Sequence, residues 1–131
     1  MKEQYTIEFD MRSVPVSILW NYISSPHGLE QWFADRVVQD GKHLSFYWRG
    51  AESDAVIVSM RPPYSIKLRW LDNEENTLGE KVFFEMKIEQ SELTDTTTLA
   101  VTDFATAADK QESIDLWNHE IEELQRILGC L

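Results

Sequence analysis

Cysteine is nearly absent from this sequence, which limits what the chain can form. Cys130, close to the C-terminus, has no second cysteine with which to make an internal disulfide. This excludes the disulfide-stabilised class of small secreted domains, and we expect a reducing, cytoplasmic location. The first ten residues, MKEQYTIEFD, also lack the apolar segment of a secretory signal, so we expect no export by that route.

Long apolar runs and basic residues are scarce as well. No run approaches the roughly 18 apolar residues that a membrane-spanning helix needs, and we expect no membrane insertion. The chain has 12 Lys and Arg against 23 Asp and Glu, which gives a net charge of −11. Such a field repels phosphate backbones, so the composition excludes nucleic acid as an expected partner.

Motifs for catalysis or cofactor binding are missing too. Five glycines form no phosphate-binding loop, and there is no nucleophile elbow. His119 has Asp115 and Glu123 at four-residue spacing, which can ligate a metal on one helix face. These residues fall on the polar side of their helix, however, so a solvated face explains them better. We therefore expect no metal, no cofactor and no assignable catalytic residue.

What the chain has in abundance is aromatic and apolar side chains. Five Trp and six Phe occur among 131 residues, of which 43% are hydrophobic. This is far too aromatic for a disordered segment, and the length suits about one domain with a real core. We expect residues 1–131 to form that single domain.

Most of the chain shows the two-residue periodicity of strands with one buried face. Asp40-Gly41 predicts a tight hairpin and Pro62-Pro63 a corner, while the inward phase of residues 55–60 cannot be fixed. The segment LDNEENTLGE is predicted to be a polar loop. The residues expected to face inward are Tyr5, Ile7, Phe9, Leu44, Phe46, Trp48, Ile66, Leu68, Trp70, Val82, Phe84, Met86, Ile88, Leu99 and Val101.

Two short helices are predicted after the first strand. Ser13 is the expected cap of the first, with Pro15 in its first turn and Pro26 ending it. The second is expected within LEQWFA, after a turn at His27-Gly28.

The clearest helix is predicted at residues 110–128. Its apolar residues recur at spacings of three and four, while charged residues fall largely on the other side. The apolar stripe consists of Ile114, Trp117, Ile121, Leu124 and Leu128.

The predicted order is a strand, two short helices, about six strands in hairpin succession and one long helix. Short connections make the later strands antiparallel neighbours. The apolar face of this sheet needs a cover, and only the last helix is long enough to supply it. The predicted class is α+β, with a curved antiparallel sheet of about six or seven strands wrapped around the C-terminal helix.

This ordered set of segments resembles a known superfamily. LWNYISSPHGLEQWF, RPPYSIKLRW and VTDFATAADKQESIDLWNHEIEELQRILG resemble the START-like or SRPBCC superfamily of helix-grip proteins, which includes the birch-pollen allergens. Within it they are similar to the activator of heat-shock-protein ATPase homologues. They are most similar to START-like proteins of Bacteroidetes, which share FAD, FYW, RW and VTDFA and have no assigned activity. The resemblance covers essentially the whole chain and implies a cavity for an apolar ligand.

Trp32 and Phe33 raise the question of why two large aromatic side chains stand together after a Pro-His-Gly break. Either they plug the sheet structurally, or they close one end of a cavity, and the two explanations are compatible. Inward aromatics elsewhere could likewise fill a cavity or line it. Asp103, at a strand end, is expected at the polar rim. The residues expected to line a cavity are Trp32, Phe33, Phe46, Trp48, Leu68, Trp70, Phe84, Met86, Leu99, Val101, Trp117, Ile121 and Leu124.

Three functions remain open from the sequence. The leading hypothesis is non-catalytic binding of a hydrophobic small molecule or lipid between the sheet and the last helix. The second is a protein-interaction module, suggested by the resemblance to chaperone-ATPase activators. The third is an enzyme of the cyclase or dehydratase type, acting on a hydrophobic substrate with an Asp or Tyr as proton donor. The oligomeric state is not indicated by the sequence.

Overall fold

The computed structural model describes residues 2–71 and 82–130, and its elements follow the predicted order. The predicted polar loop LDNEENTLGE lies outside the described residues except for Leu71. The elements are β1 (Lys2–Asp10), α1 (Val16–Ser24), α2 (Pro26–Leu29), β2 (Arg36–Asp40), β3 (His43–Trp48), β4 (Ala51–Arg61), β5 (Ser65–Trp70), β6 (Phe84–Ser91), β7 (Thr96–Thr106) and α3 (Lys110–Ile127).

The strands form a seven-stranded antiparallel sheet in the order β1-β7-β6-β5-β4-β3-β2. Strands β2 to β7 are sequential neighbours, as short connections require. The first strand instead pairs with the last, so that Tyr5 lies opposite Asp103. Helix α3 packs its apolar stripe against the sheet, with Trp117, Ile121 and Leu124 buried. The predicted α+β helix-grip class is confirmed.

The period-two pattern identifies the buried face of most strands correctly. Phe46, Leu68 and Met86 are among many inward residues with almost no exposed surface. Val82 is the exception, because it precedes β6 and lies with Phe83 beside a hollow that Lys67 and Arg69 also line. The prediction that Val82 points inward with Phe84 is therefore wrong.

A β-bulge explains why the phase of residues 55–60 could not be fixed. Ala55 and Ile57 are buried, whereas Val58 is 48% exposed. The pairing of β4 with β5 shifts register between Ile57 and Ser59. An extra residue at a bulge breaks the alternation on which the prediction depends.

The hairpin predicted at Asp40-Gly41 is confirmed. Asp40 pairs with His43 across β2 and β3, and Gly41 adopts a φ of +62°, which glycine reaches without a steric penalty. The other predicted corner, Pro62-Pro63, lies between β4 and β5.

The boundaries of the two short helices differ from the prediction. Pro15, not Ser13, occupies the N-cap of α1, and no side chain caps it. The second helix is Pro26–Leu29 instead of LEQWFA, because the Ser25 hydroxyl caps it and accepts a hydrogen bond from the Gly28 N–H at 3.0 Å. Pro26 then fits the first helical position, where its missing N–H is not needed. In the described residues no helix combines the length and apolar character that crossing a membrane requires.

Candidate ligand-binding cavity

A cavity of about 420 Å³ lies between the sheet and α3. Its walls come from the turn after α2, the adjoining ends of β3 and β4, strands β5 and β7, and residues 113–120 of α3. The lining residues are Phe33, Trp48, Ala51, Trp70, Asp103, Ser113, Leu116, Trp117 and Glu120.

The segment SSPHGLEQWF brings Phe33 to this cavity. The cap at Ser25 starts α2, and the chain then turns, with the Phe33 N–H donating to the Leu29 carbonyl at 2.8 Å. Gly28 makes this path possible, because a Cβ atom there would lie 2.0 Å from the Asn21 carbonyl oxygen. The turn leaves Trp32 and Phe33 only 7% and 6% exposed. The two adjacent aromatics are therefore covered, and Phe33 also forms part of a cavity wall.

Phe33 is the centre of an aromatic cluster that forms much of the cavity wall. Its ring stacks on Trp117 with a centroid distance of 5.9 Å and meets Trp48 edge-on at 5.8 Å. Such offset and edge contacts stabilise aromatic packing beyond the area buried. The rings within 6.4 Å of Phe33 are Trp32, Phe46, Trp48, Trp70, Phe84 and Trp117.

The indole N–H groups of three tryptophans are occupied by the protein itself. Trp48 donates to the Phe33 carbonyl at 2.8 Å, and Trp32 donates to the Tyr22 carbonyl at 2.9 Å. Trp117 donates to Asp103 Oδ2 at 2.8 Å. These bonds fix the ring orientations, so Trp48 and Trp117 contribute apolar surface to the cavity wall and keep no indole donor for a ligand.

Asp103 is a partly buried acid in the cavity wall. Its carboxylate accepts from Trp117 and, at 2.7 Å, from the Phe104 N–H. Burial raises the pKa of Asp103, and these two hydrogen bonds and the charge of Lys2 partly offset the rise. The neighbouring Tyr5 hydroxyl bonds to the Ser113 hydroxyl, and its pKa is raised mainly by burial. Asp103 is thus tied to β7 and α3.

Glu120 is a second acid in the cavity wall, and it was not among the lining residues predicted from the sequence. Burial raises its pKa to about 8, so the carboxyl is largely protonated at neutral pH. Within residues 2–71 and 82–130 it makes no hydrogen bond and no ion pair. Its position could have been found, because Glu120 follows Trp117 by three residues and therefore shares the apolar face of α3.

The structure separates the predicted lining residues into two groups. Five of the fourteen line the cavity, namely Phe33, Trp48, Trp70, Asp103 and Trp117. Trp32 borders a smaller neighbouring hollow. The remaining eight are buried in the core and do not line the cavity: Phe46, Leu68, Phe84, Met86, Leu99, Val101, Ile121 and Leu124. Ala51, Ser113 and Leu116 line the cavity and were not predicted.

The raised pKa of Glu120 predicts that stability falls as the pH rises. Between its ordinary pKa of 4.5 and about 8, folded Glu120 keeps a proton that the unfolded chain has lost. Unfolding then releases a proton, so the free energy of unfolding decreases across this window. Glu120→Gln cannot ionise, and its stability relative to the wild type should rise by about 1–2 kcal/mol between pH 5 and pH 8.5, after discounting for partial solvation.

Urea unfolding at several pH values measures this difference. Glu122→Gln is the matched control, since it removes a carboxyl from the same helix at a side chain that is 58% exposed. Its difference from the wild type should stay nearly constant over the same pH range. If the two variants show the same pH dependence, Glu120 does not carry the buried proton.

Comparisons with known proteins agree with the fold. Residues 1–130 match the family model described as a START-like superfamily domain, whereas comparison with proteins of curated function gives no match. A solution structure from Bacteroides fragilis is 36% identical with a TM-score of 0.68, covering 96% of this chain and 90% of that one.

Two further solved structures are similar in fold. The Aha1 dimer from Colwellia psychrerythraea has a TM-score of 0.79 at 13% identity, covering 96% of each chain. A crystal structure from Mesorhizobium loti has a TM-score of 0.74 at 15% identity, covering 97% of each chain. At such low identities the similarity shows a shared fold alone. The resemblance stated from the sequence is confirmed.

Proposed function

This chain belongs to the START-like superfamily, and on that premise we propose that it binds an apolar small molecule between the sheet and α3. The observation that carries this proposal is the cavity of about 420 Å³ with aromatic walls. Small-molecule sites typically have volumes of about 300–1,000 Å³, mainly apolar walls and a few placed polar groups. Asp103 and Glu120 are the polar groups of this kind.

The walls favour a ligand with an apolar body. Removing apolar surface from water contributes about 25 cal/mol per Å², so a ligand that buries roughly 300 Å² gains about 7 kcal/mol before ordering costs. Because Trp48 and Trp117 donate their indole N–H groups to the protein, they contribute contact area and no hydrogen bond. Glu120 and Asp103 are left to orient the ligand.

Binding has more support in this geometry than the two alternatives. A protein-interaction role would be favoured by a solid interior without room for a ligand. The cavity between the sheet and α3 therefore supports this role less than it supports binding. An enzyme would need a positioned proton donor in the cavity. Glu120 is protonated at neutral pH, but in the described part of the chain no hydrogen-bonded partner orients its carboxyl. Catalytic acids and bases are normally held by such a partner. Asp103 does have partners, but they are the Trp117 indole N–H and the Phe104 N–H, which favour its ionised form, and that form cannot donate a proton. We therefore infer a binding role.

Nile red, a neutral apolar dye of suitable size, tests the proposal. We expect saturable binding at one site per chain, measured by the rise of dye fluorescence. Ala51 lines the cavity at the first residue of β4 and is itself exposed. Ala51→Phe should therefore place a ring in the cavity entrance and weaken dye binding about tenfold, which corresponds to about 1.4 kcal/mol.

Ala107→Phe provides the control for this substitution. Ala107 is exposed in the turn before α3 and does not line the cavity, so the same change there should leave the dye affinity unchanged. A non-saturable signal, or an equal loss of affinity in both variants, would contradict binding in this cavity.

A further inference from the structure

We infer that the ligand carries a cationic head, a protonated or quaternary amine, attached to its apolar body. The inference rests on the proposed function, because it concerns the same cavity and adds the chemical class of the ligand. Three features of the cavity wall support it: the aromatic rings, the negative charge of the carboxyl groups, and the state of the Glu120 carboxyl.

The first feature is the set of ring faces. Cations are attracted to the faces of aromatic rings, and most strongly to indole. Elsewhere in the protein Arg36 lies over the Tyr47 ring at 5.4 Å, and Lys67 lies over Phe83 at 4.3 Å. Among the described residues, no Lys or Arg covers the Trp48 or Trp117 ring in this way. Both indoles line the cavity, and each has one ring face stacked on a phenylalanine, Trp117 on Phe33 and Trp48 on Phe46. A ligand cation would supply the contact that the other face lacks.

The second feature is the charge of the wall. Asp103 and Glu120 line the cavity, and no Lys, Arg or His is among its described lining residues. A neighbouring hollow of about 260 Å³ shares Phe33, Trp48 and Glu120 with the cavity. It adds the carboxyl groups of Glu30, Asp35 and Glu123, of which Glu123 is paired with Arg126 at 2.6 Å. An anionic ligand would be repelled at both places, whereas a cation would be attracted.

The third feature is the state of Glu120. Its pKa is raised by burial alone, which means that among residues 2–71 and 82–130 no positive charge or hydrogen-bond donor stabilises its ionised form. Asp103 differs, because Lys2, Trp117 and the Phe104 N–H all favour its charged form. A cation beside Glu120 would supply the missing stabilisation and lower its pKa. A neutral ligand would only bury the acid further.

Two probes of nearly identical shape separate a cationic ligand from a neutral one. Benzyltrimethylammonium and neopentylbenzene differ by a nitrogen with a positive charge in place of a carbon. Titration followed by tryptophan fluorescence should give the ammonium probe at least tenfold higher affinity at pH 8. The anion 3-phenylpropanoate should bind weakest.

The outcomes distinguish this inference from the proposed function. If neopentylbenzene binds as tightly as the ammonium probe, or if Nile red binds and the ammonium probe does not, the cationic class is wrong while binding stands. If none of the probes or the dye binds saturably, the proposed function fails and the inference fails with it.

The pH dependence of ammonium binding tests the role of Glu120. The probe has a permanent charge, so any change in its affinity reports on the protein. We expect the affinity to rise up to about tenfold from pH 7 to pH 9, as Glu120 passes through its pKa of about 8. Glu120→Gln should abolish the rise, and the control Glu122→Gln should retain it. In the part of the chain that the structure describes, the charged and titratable groups around Glu120 and Asp103 are Lys2, Tyr5, Glu30, Asp35 and Glu123, the last of which is paired with Arg126.

A rise that persists in Glu120→Gln would overturn the role of Glu120 in holding the cation. Asp103→Asn keeps one oxygen that can accept from Trp117, but it removes the charge and the acceptor of the Phe104 N–H. It should therefore lower the affinity for the ammonium probe by more than it lowers that for neopentylbenzene. Equal losses for both probes would indicate damage to the cavity and would contradict an electrostatic contribution.

Discussion

Phe33→Ala is expected to lower the free energy of unfolding by about 3–5 kcal/mol, the range measured for buried Phe truncations. Phe33 is 6% exposed, and its ring contacts six others. Truncation removes all of these contacts at once. The rigid indoles around the ring, with Trp48 and Trp117 held by hydrogen bonds, cannot close the space it leaves. Urea unfolding at pH 6 measures the loss.

Tyr64→Ala is the control for this substitution. It also removes one six-membered aromatic ring, but Tyr64 is 53% exposed. Its loss should change stability by no more than about 0.5 kcal/mol. If Phe33→Ala costs no more than Tyr64→Ala, the aromatic cluster is not part of the stabilising core, and Phe33 is only a cover for the cavity.

The fold was largely predictable because most of its elements have a single dominant periodicity. The stripe of Trp117, Ile121 and Leu124 on α3 repeats at helical spacing, and the inward residues of β3 and β5 alternate without interruption. In such elements one buried face decides both the secondary structure and the orientation. The strand order then follows from short connections, apart from the pairing of β1 with β7. These two strands are far apart in the sequence, so no short connection indicates that they are neighbours.

The helix boundaries after β1 were less predictable because several weak signals compete there. Ser13, Ser25, Pro15 and Pro26 all suit the start of a helix. Only the geometry decides between them: the hydroxyl of Ser25 reaches the Gly28 N–H, whereas no side chain caps α1. Apolar periodicity cannot identify a helix of four residues, because a single turn is too short for the pattern to repeat.

The aromatic part of the cavity was easier to predict than its polar part. Phe33, Trp48, Trp70 and Trp117 were expected because large rings on inward positions must either fill space or border it. Glu120 was missed because charge normally indicates a solvated position. The helical spacing places it beside Trp117, and this conflict between charge and position is the signal. Conflicts of this kind concentrate at functional sites.

The cavity and the core are coupled through one turn of chain. Phe33 forms a cavity wall and centres the aromatic cluster, and its carbonyl accepts the Trp48 hydrogen bond. Its position depends on α2, whose backbone packs directly on α1 at Gly28. A substitution that pushes α2 away from α1 at Gly28 should therefore lower the stability of the fold and also change the shape of the binding site.

Gly28→Ala is accordingly expected to destabilise the protein by about 3 kcal/mol or more, at the upper end of the range for overpacking. The new Cβ would lie 2.0 Å from the Asn21 carbonyl oxygen and 2.6 Å from the Tyr22 Cα. Both are backbone atoms, so no side chain can move aside, and α2 must shift away from α1. Urea unfolding measures the loss of stability, and Nile red titration should show weaker binding as Phe33 moves.

Gly41→Ala separates this steric effect from the general cost of replacing glycine. Gly41 has a φ of +62°, but nothing lies within 4 Å of an added Cβ. The strain of a left-handed conformation should cost about 1 kcal/mol, and dye binding should not change because the hairpin is not part of the cavity wall. If Gly28→Ala is no more destabilising than Gly41→Ala, α1 and α2 do not pack closely at Gly28. Phe33 would then need another explanation for its position in the cavity wall.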